Sequence, residues 1–204
     1  MARASKTMQG VQAVVLLAIL GVVGFFVWHR VRQAWWDGSD WLAEARSEAA
    51  DWAGDAVLVT FEGTMIDGAG QAQIGGGWKF ELRSAAAAAG PRTAPAPMPG
   101  APASGPRPGC IYEFRMEPYE GRGGNIAIGS ALESCRDAVA LPTPPRCTIS
   151  AVLAHGKAKG APAPALYDVS LTPAPGGAVW TFRVMDRAND ASRALFETTF
   201  PDDC

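Results

Sequence analysis

Histidine is scarce in this sequence, and its scarcity excludes much of the usual chemistry of enzymes. The 204 residues include two histidines, His29 and His155. His155 has no carboxylate or cysteine beside it in the sequence, so a Ser-His-Asp triad or a histidine metal site has very little to be built from. We interpret His155 as an ordinary surface or boundary residue, and we expect no catalytic residue, no metal and no cofactor.

Cysteine is also infrequent, and its spacing argues against another common class of site. Structural zinc sites usually pair their ligands two to four residues apart, and no such pair occurs here. An even number of cysteines in a chain rich in turns favours disulfides formed in an oxidising compartment. We therefore predict that all the cysteines are disulfide-bonded; they are Cys110, Cys135, Cys147 and Cys204.

The chain lacks a strong net charge as well. The formal net charge is −2, and no basic stripe with interleaved aromatic residues is present. Nucleic-acid binding therefore has no support.

Charge is entirely missing from residues 8–28, MQGVQAVVLLAILGVVGFFVW. A helix over this stretch is about 31 Å long, enough to cross a hydrocarbon core of about 30 Å. The stretch ends in bulky residues and is followed by basic ones, without the small residues of a cleavage site, which predicts a retained anchor. Because every cysteine follows this stretch, we predict a single-pass inner-membrane protein with its C-terminal domain in the periplasm.

Composition divides the chain into three predicted parts. Residues 1–36 form a cytoplasmic stub, the anchor and a juxtamembrane segment. Residues 37–135 form a first α+β repeat, and residues 136–204 form a second. Within the first repeat, residues 84–109 are rich in Ala, Pro and Gly, a composition that buries too little apolar area to offset the entropy of ordering. We expect a disordered insertion there.

Each repeat is predicted to be an amphipathic helix followed by an antiparallel meander. Helical spacing of apolar residues predicts helices over residues 40–53 and 148–159. Alternation of apolar and polar residues predicts half-buried strands, which cover residues 56–61, 78–83, 110–117, 125–130, 166–172, 179–185 and 195–200. One such module cannot close a core alone, but two packed together can. The predicted fold is α+β, with an N-terminal transmembrane helix followed by two helix-plus-antiparallel-meander repeats.

The two repeats share a short pattern, Trp-x-Phe-x-aliphatic, which begins at Trp78 in the first and at Trp180 in the second. We interpret both tryptophans as core residues. This order of elements resembles the helix-plus-meander modules of PepSY-like exported domains. Pro-Arg-Cys before the second helix and the final Asp-Asp-Cys resemble an uncharacterised family of membrane-anchored exported domains of GC-rich bacteria. The resemblance covers roughly residues 40–204 and implies no known activity or catalytic residue.

The meander also predicts which cysteines pair. Strands one and three of a meander are parallel, and a helix packed back across the sheet begins near the end of strand three. Cys147 precedes the second helix and Cys204 follows the third strand, so these two should meet. Cys110 and Cys135 lie at the open end of one hairpin of the first repeat, so they should form the other bond.

The predicted function is that of a non-enzymatic, membrane-anchored periplasmic or surface domain that binds a protein or cell-wall partner. Two alternatives stay open. One is a pseudopilin-like structural subunit, because Gly10-Val11 resembles a pilin processing point; Val15 stands where pilins usually carry a glutamate. The other is an accessory or inhibitor of an envelope enzyme.

Overall fold

The structure is a computed structural model that divides the chain into two units, Met1–Trp35 and Trp36–Cys204. In the first unit it describes helical geometry at Val15, residues 18–21 and Gly24. In the second unit it describes residues 36–89, 110–119, 124–132, 138–142, 144–163, 165–186 and 190–204.

The transmembrane helix predicted over residues 8–28 has to be corrected. Among the residues that the structure describes, no helix is long and apolar enough to cross a membrane. The prediction of a single-pass inner-membrane protein with a periplasmic domain is overturned by the same finding.

The second unit is built on one seven-stranded sheet in which every pair of neighbouring strands is antiparallel. The strand order across the sheet is β4-β3-β2-β1-β5-β6-β7. In chain order the elements are α1 (Gly38–Trp52), β1 (Val57–Ile66), β2 (Ala72–Arg83), α2 (Ala85–Ala89), β3 (Ile111–Tyr119), β4 (Gly124–Leu132), α3 (Ile149–Ala158), β5 (Tyr167–Ala174), β6 (Gly177–Asp186) and β7 (Asp190–Pro201).

The prediction of an N-terminal transmembrane helix followed by two helix-plus-meander repeats is therefore wrong. β1 pairs with β5, with Phe61 opposite Leu171, so the strands form one continuous sheet. Alternation along a strand shows which side chains share a face, but it carries no information on which strand lies alongside.

The aromatic residues of one sheet face, the inner face, form the core together with α1 and α3. The ring centroid of Phe61 lies 5.0 Å from that of Phe80 and 5.2 Å from that of Trp180. Trp78 and Trp180 are 1% and 0% exposed, which confirms that both are core residues. The inner face is thus filled, and the opposite face, the outer face, is left to carry the polar residues of each strand.

The insertion predicted over residues 84–109 begins with ordered residues. Ser84 is buried and its hydroxyl donates a hydrogen bond to the Asp55 carboxylate, and Ala85–Ala89 form α2. The hydrogen bond from Ser84, aided by the backbone N–H of Ala86, holds the pKa of Asp55 below its ordinary value. Residues 90–109 lie outside the described residues.

Candidate functional site

The candidate site lies on the outer face of β1–β4, where side chains from four strands stand in rows. In one row Lys79 lies opposite Glu62 on one side and opposite Arg115 on the other. Arg115 in turn lies opposite Ile128 of β4, and Glu117 lies opposite Ile126. Polar residues of β1–β3 therefore lead outward to an apolar edge strand.

A network of ion pairs holds the middle of this face. The Lys79 Nζ lies 2.9 Å from the Glu81 Oε1 and 3.7 Å from the Glu113 Oε2. The Glu81 side chain is 5% exposed, and its other oxygen accepts a hydrogen bond from the Thr60 hydroxyl at 2.9 Å. A nearly buried carboxylate thus has both a cation and a hydroxyl as partners, as burial of charge requires.

Arg115 is held by a bidentate ion pair with Glu113. Its Nε donates to Glu113 Oε1 at 2.7 Å and its Nη2 donates to Oε2 at 3.2 Å. The hydrogen bond with Glu113 raises the pKa of Arg115 above its ordinary value. This geometry pre-orients the guanidinium group on the outer face.

Three glycines in β2 leave a depression that we name the glycine notch. It is a cavity of about 260 Å³, and it is lined by Glu62, Thr64, Gly75, Gly76, Gly77, Trp78, Lys79, Arg115, Met116, Glu117 and Pro118. A Cβ atom on Gly76 would collide with the Thr64 carbonyl oxygen. Opposite the glycines, Met65 takes a positive φ of 53° at a register shift in β1, and its N–H donates to the Asp168 Oδ1 at 2.9 Å.

A second depression, which we name the apolar shelf, lies beside the notch at the edge of the sheet. Its volume is also about 260 Å³, and it is lined by Glu113, Arg115, Glu117, Pro118, Tyr119, Ile126, Ile128 and Ser130. Ile128 is 62% exposed, Tyr119 51% and Ile126 45%. The notch and the shelf share Arg115, Glu117 and Pro118, so they are neighbouring parts of one surface.

β4 forms the edge of the sheet beside the shelf. None of the described strands pairs with its far side. Its sequence, GNIAIGSAL, has no charged residue and no proline, and its register against β3 has no shift. Alternate residues of such a strand direct N–H and C=O groups away from the sheet. β4 therefore presents a regular backbone edge with apolar side chains on it.

The cysteine pairing predicted from the sequence is present in part. The predicted bond between Cys147 and Cys204 is confirmed, with the two Cα atoms 5.0 Å apart. Cys110 is also disulfide-bonded; Cys135, the partner predicted for it, lies outside the described residues. The described part of the chain contains no free cysteine.

The other candidate for chemistry from the sequence, His155, lies on α3 and stacks on Phe200 with ring centroids 4.0 Å apart. Within the described residues, no group of three or more His, Cys, Asp or Glu side chains is placed to hold a metal ion. Neither observation assigns a reaction to the chain.

No protein-family model, no curated protein and no solved structure matches this chain. The resemblance to PepSY-like domains stays a prediction. The sequence argument placed no site on the outer face. The available signals were the three successive glycines of β2 and the uncharged stretch at residues 124–132.

Proposed function

We propose that this chain is a non-enzymatic domain that binds a protein partner along the edge of β4 and over the apolar shelf. The observation that carries the proposal is the exposure of Ile126, Ile128 and Tyr119 beside an edge strand without charge. Exposed apolar groups next to an open strand edge are typical of surfaces that recognise other polypeptides.

The shape of the surface favours a polypeptide over a small molecule. Each depression has a volume of about 260 Å³, below the range of roughly 300–1,000 Å³ that is usual for small-molecule sites. A strand added to β4 satisfies the outward N–H and C=O groups, and its own side chains cover the shelf.

The charges beside the shelf supply selectivity in this proposal. Arg115 is held by Glu113 and borders both the notch and the shelf. A charged group that is already held in position before binding loses little conformational freedom when a partner binds. It therefore contributes to the choice of partner.

A photo-crosslinking experiment tests the proposal. A photoreactive amino acid is placed at Ile128 on the shelf and, as a matched control, at Leu195 of β7, which is 56% exposed on the opposite edge strand. We expect a discrete protein adduct, identified by mass spectrometry, from position 128 in the producing cell and not from position 195. We also expect Arg115→Glu to reduce the yield of that adduct.

Two results would overturn the proposal. One is the absence of any protein adduct from position 128. The other is an equal pattern of adducts from positions 128 and 195, which is the mark of non-specific contact.

A further inference from the structure

We infer that the polypeptide recognised by β4 is a second copy of this chain, paired antiparallel to it along β4; this inference rests on the function proposed above. The two edges of the sheet differ in the features that normally prevent such pairing. β7 carries Asp190, Arg193 and Glu197 and shows register shifts against β6. β4 has none of these features.

β4 is complementary to itself when Ala127 lies on the two-fold axis. In an antiparallel pair, residues directly opposite each other lie on the same face. With Ala127 opposite its own copy, Ile126 faces the second copy's Ile128, and Ile128 faces the second copy's Ile126. Four isoleucine side chains, the two exposed ones of each copy, then cover one another on the outer face.

The charges on β3 are complementary in the same register. Glu117 lies beside Ile126 and Arg115 beside Ile128. With Ala127 on the axis, each row runs from Glu117 through the two isoleucines to the second copy's Arg115, so its ends carry opposite charges. An axis at Ile126 would place Glu117 at both ends of a row, and an axis at Ile128 would place Arg115 at both ends.

On its inner side β4 carries Asn125, Ala127, Gly129 and Ala131. Ala127, on the axis, carries a methyl group and Gly129 has no side chain, so the centre of the seam holds no bulky side chain of β4 on that side. The sheet of each copy continues into the other across β4.

A pair of double variants tests both the partner and the register. In Ile126→Lys/Ile128→Lys, lysine faces lysine across the seam with the axis at Ile126, Ala127 or Ile128. In Ile126→Lys/Ile128→Glu, an axis at Ala127 makes each lysine face the second copy's glutamate. Both positions are exposed, and a thermal melt of each variant checks that the fold is intact. Leu195→Lys, on the other edge strand, is the matched control.

Sedimentation of the full chain over a range of concentrations is the measurement. We expect the wild type and Leu195→Lys to dimerise alike. The dissociation constant should rise at least about tenfold in the Lys/Lys variant and stay within about threefold in the Lys/Glu variant, whose dimer should weaken with added salt.

Three results would overturn the inference: a monomeric wild type at every concentration, a Lys/Lys variant that dimerises like the wild type, or a Lys/Glu variant as weak as the Lys/Lys variant. The crosslinking experiment above separates this inference from the proposed function. An adduct at position 128 that contains a different protein would leave the function standing and exclude the second copy as the partner. The absence of any adduct would exclude both.

Discussion

The indole of Trp78 shows how single residues fix the strands that carry the site. A Cβ atom added to Gly63 of β1, or to Gly38 of α1, would collide with the Trp78 ring. The ring is 1% exposed and is packed within the core. The two glycines therefore let β1, β2 and α1 approach closely, and this approach sets the spacing of the strands beneath the outer face.

We expect Gly63→Ala to lower the free energy of unfolding by about 1–3 kcal/mol, because the added methyl group forces the Trp78 ring off its position. Urea denaturation measures the change. Gly54→Ala is the control, since a Cβ atom on Gly54 meets nothing within 4 Å. Equal effects of the two substitutions would contradict the packing argument.

Asp202 is the other residue on which local order depends. Its carboxylate is 5% exposed. It accepts hydrogen bonds from the Cys147 N–H at 2.8 Å and from the Trp180 Nε1 at 2.9 Å. It also accepts one from the Arg146 N–H at 2.9 Å. The carboxylate thus ties the chain end to the start of α3 and to the core.

Asp202→Asn should lower the free energy of unfolding by about 2–3 kcal/mol, because a neutral amide replaces a charged acceptor of three hydrogen bonds and brings donors of its own. Chemical denaturation monitored by tryptophan fluorescence measures it. The adjacent Asp203→Asn, at an exposed position, should change stability by less than about 0.5 kcal/mol. A loss in both variants would show that the effect is one of net charge.

Sequence reasoning at this scale found the tryptophans but not their surroundings. Alternation with charged neighbours was enough to place Trp78 and Trp180 in the core. The role of Gly63 depends on a ring from the neighbouring strand, and that of Asp202 depends on residues far away in the chain. Such contacts have no local signature in the sequence, so they could not be predicted from it.

At the scale of elements, α1 and β3 are joined by a polar contact at the rim of the core. The Tyr112 hydroxyl donates to the Glu48 Oε2 at 2.9 Å, and the Tyr112 and Trp52 rings lie 5.6 Å apart. Burial, followed by the hydrogen bond and charge of Glu48, raises the pKa of Tyr112 to about 12. The folded state therefore keeps this proton to a higher pH than the unfolded state does.

The sign of the pH effect follows from that shift. The raised pKa of Tyr112 stabilises the folded state. This stabilisation is fully present below the unfolded pKa of 10.0 and is lost as the pH rises from there through about 12. Near-ultraviolet titration, with Tyr112→Phe to assign the signal, should show Glu48→Gln lowering the pKa of Tyr112 while burial keeps it above 10.0. Glu44→Gln should leave it unchanged. A Tyr112 pKa at 10.0 in the wild type would contradict the contact.

The Cys147–Cys204 bond joins the start of α3 to the end of β7 across 57 positions. By the chain-entropy estimate, a disulfide that closes a loop of this size adds about 4 kcal/mol to the free energy of unfolding. Removal of both cysteines by Cys147→Ala/Cys204→Ala should lower the free energy of unfolding by roughly that amount, as measured in urea without reductant. A change of less than about 1 kcal/mol would show that Asp202 alone secures the chain end.

The sequence located most elements but not their assembly. The strand predicted over residues 78–83 lies within β2, and the helix predicted over residues 148–159 matches α3 closely. The cysteine pairing of α3 with β7 was correct because it follows from the direction of consecutive elements. The β1–β5 pairing joins strands that are separated in the chain by three other strands and two helices, and no periodicity in the sequence encodes it.

At the scale of the whole sheet, the described residues fill the inner face, and none of the described strands pairs with the far side of β4. The sequence argument expected a binding domain, but it expected a membrane anchor and gave the binding surface no location. The sequence shows that residues 124–132 are uncharged and include two isoleucines. Only the strand order shows that Ile126 and Ile128 lie on an edge beside Arg115 and Glu117.

The central claim is that the edge of β4 pairs with a second copy of the chain, and hydrogen–deuterium exchange of the full chain at low and high protein concentration tests it most directly. Outward backbone N–H groups of residues 124–130 should exchange more slowly at high concentration, because pairing with a second copy protects them. Those of β7 should be unaffected. If the exchange rates of β4 were independent of concentration, or if both edges slowed equally, self-pairing along β4 would be contradicted.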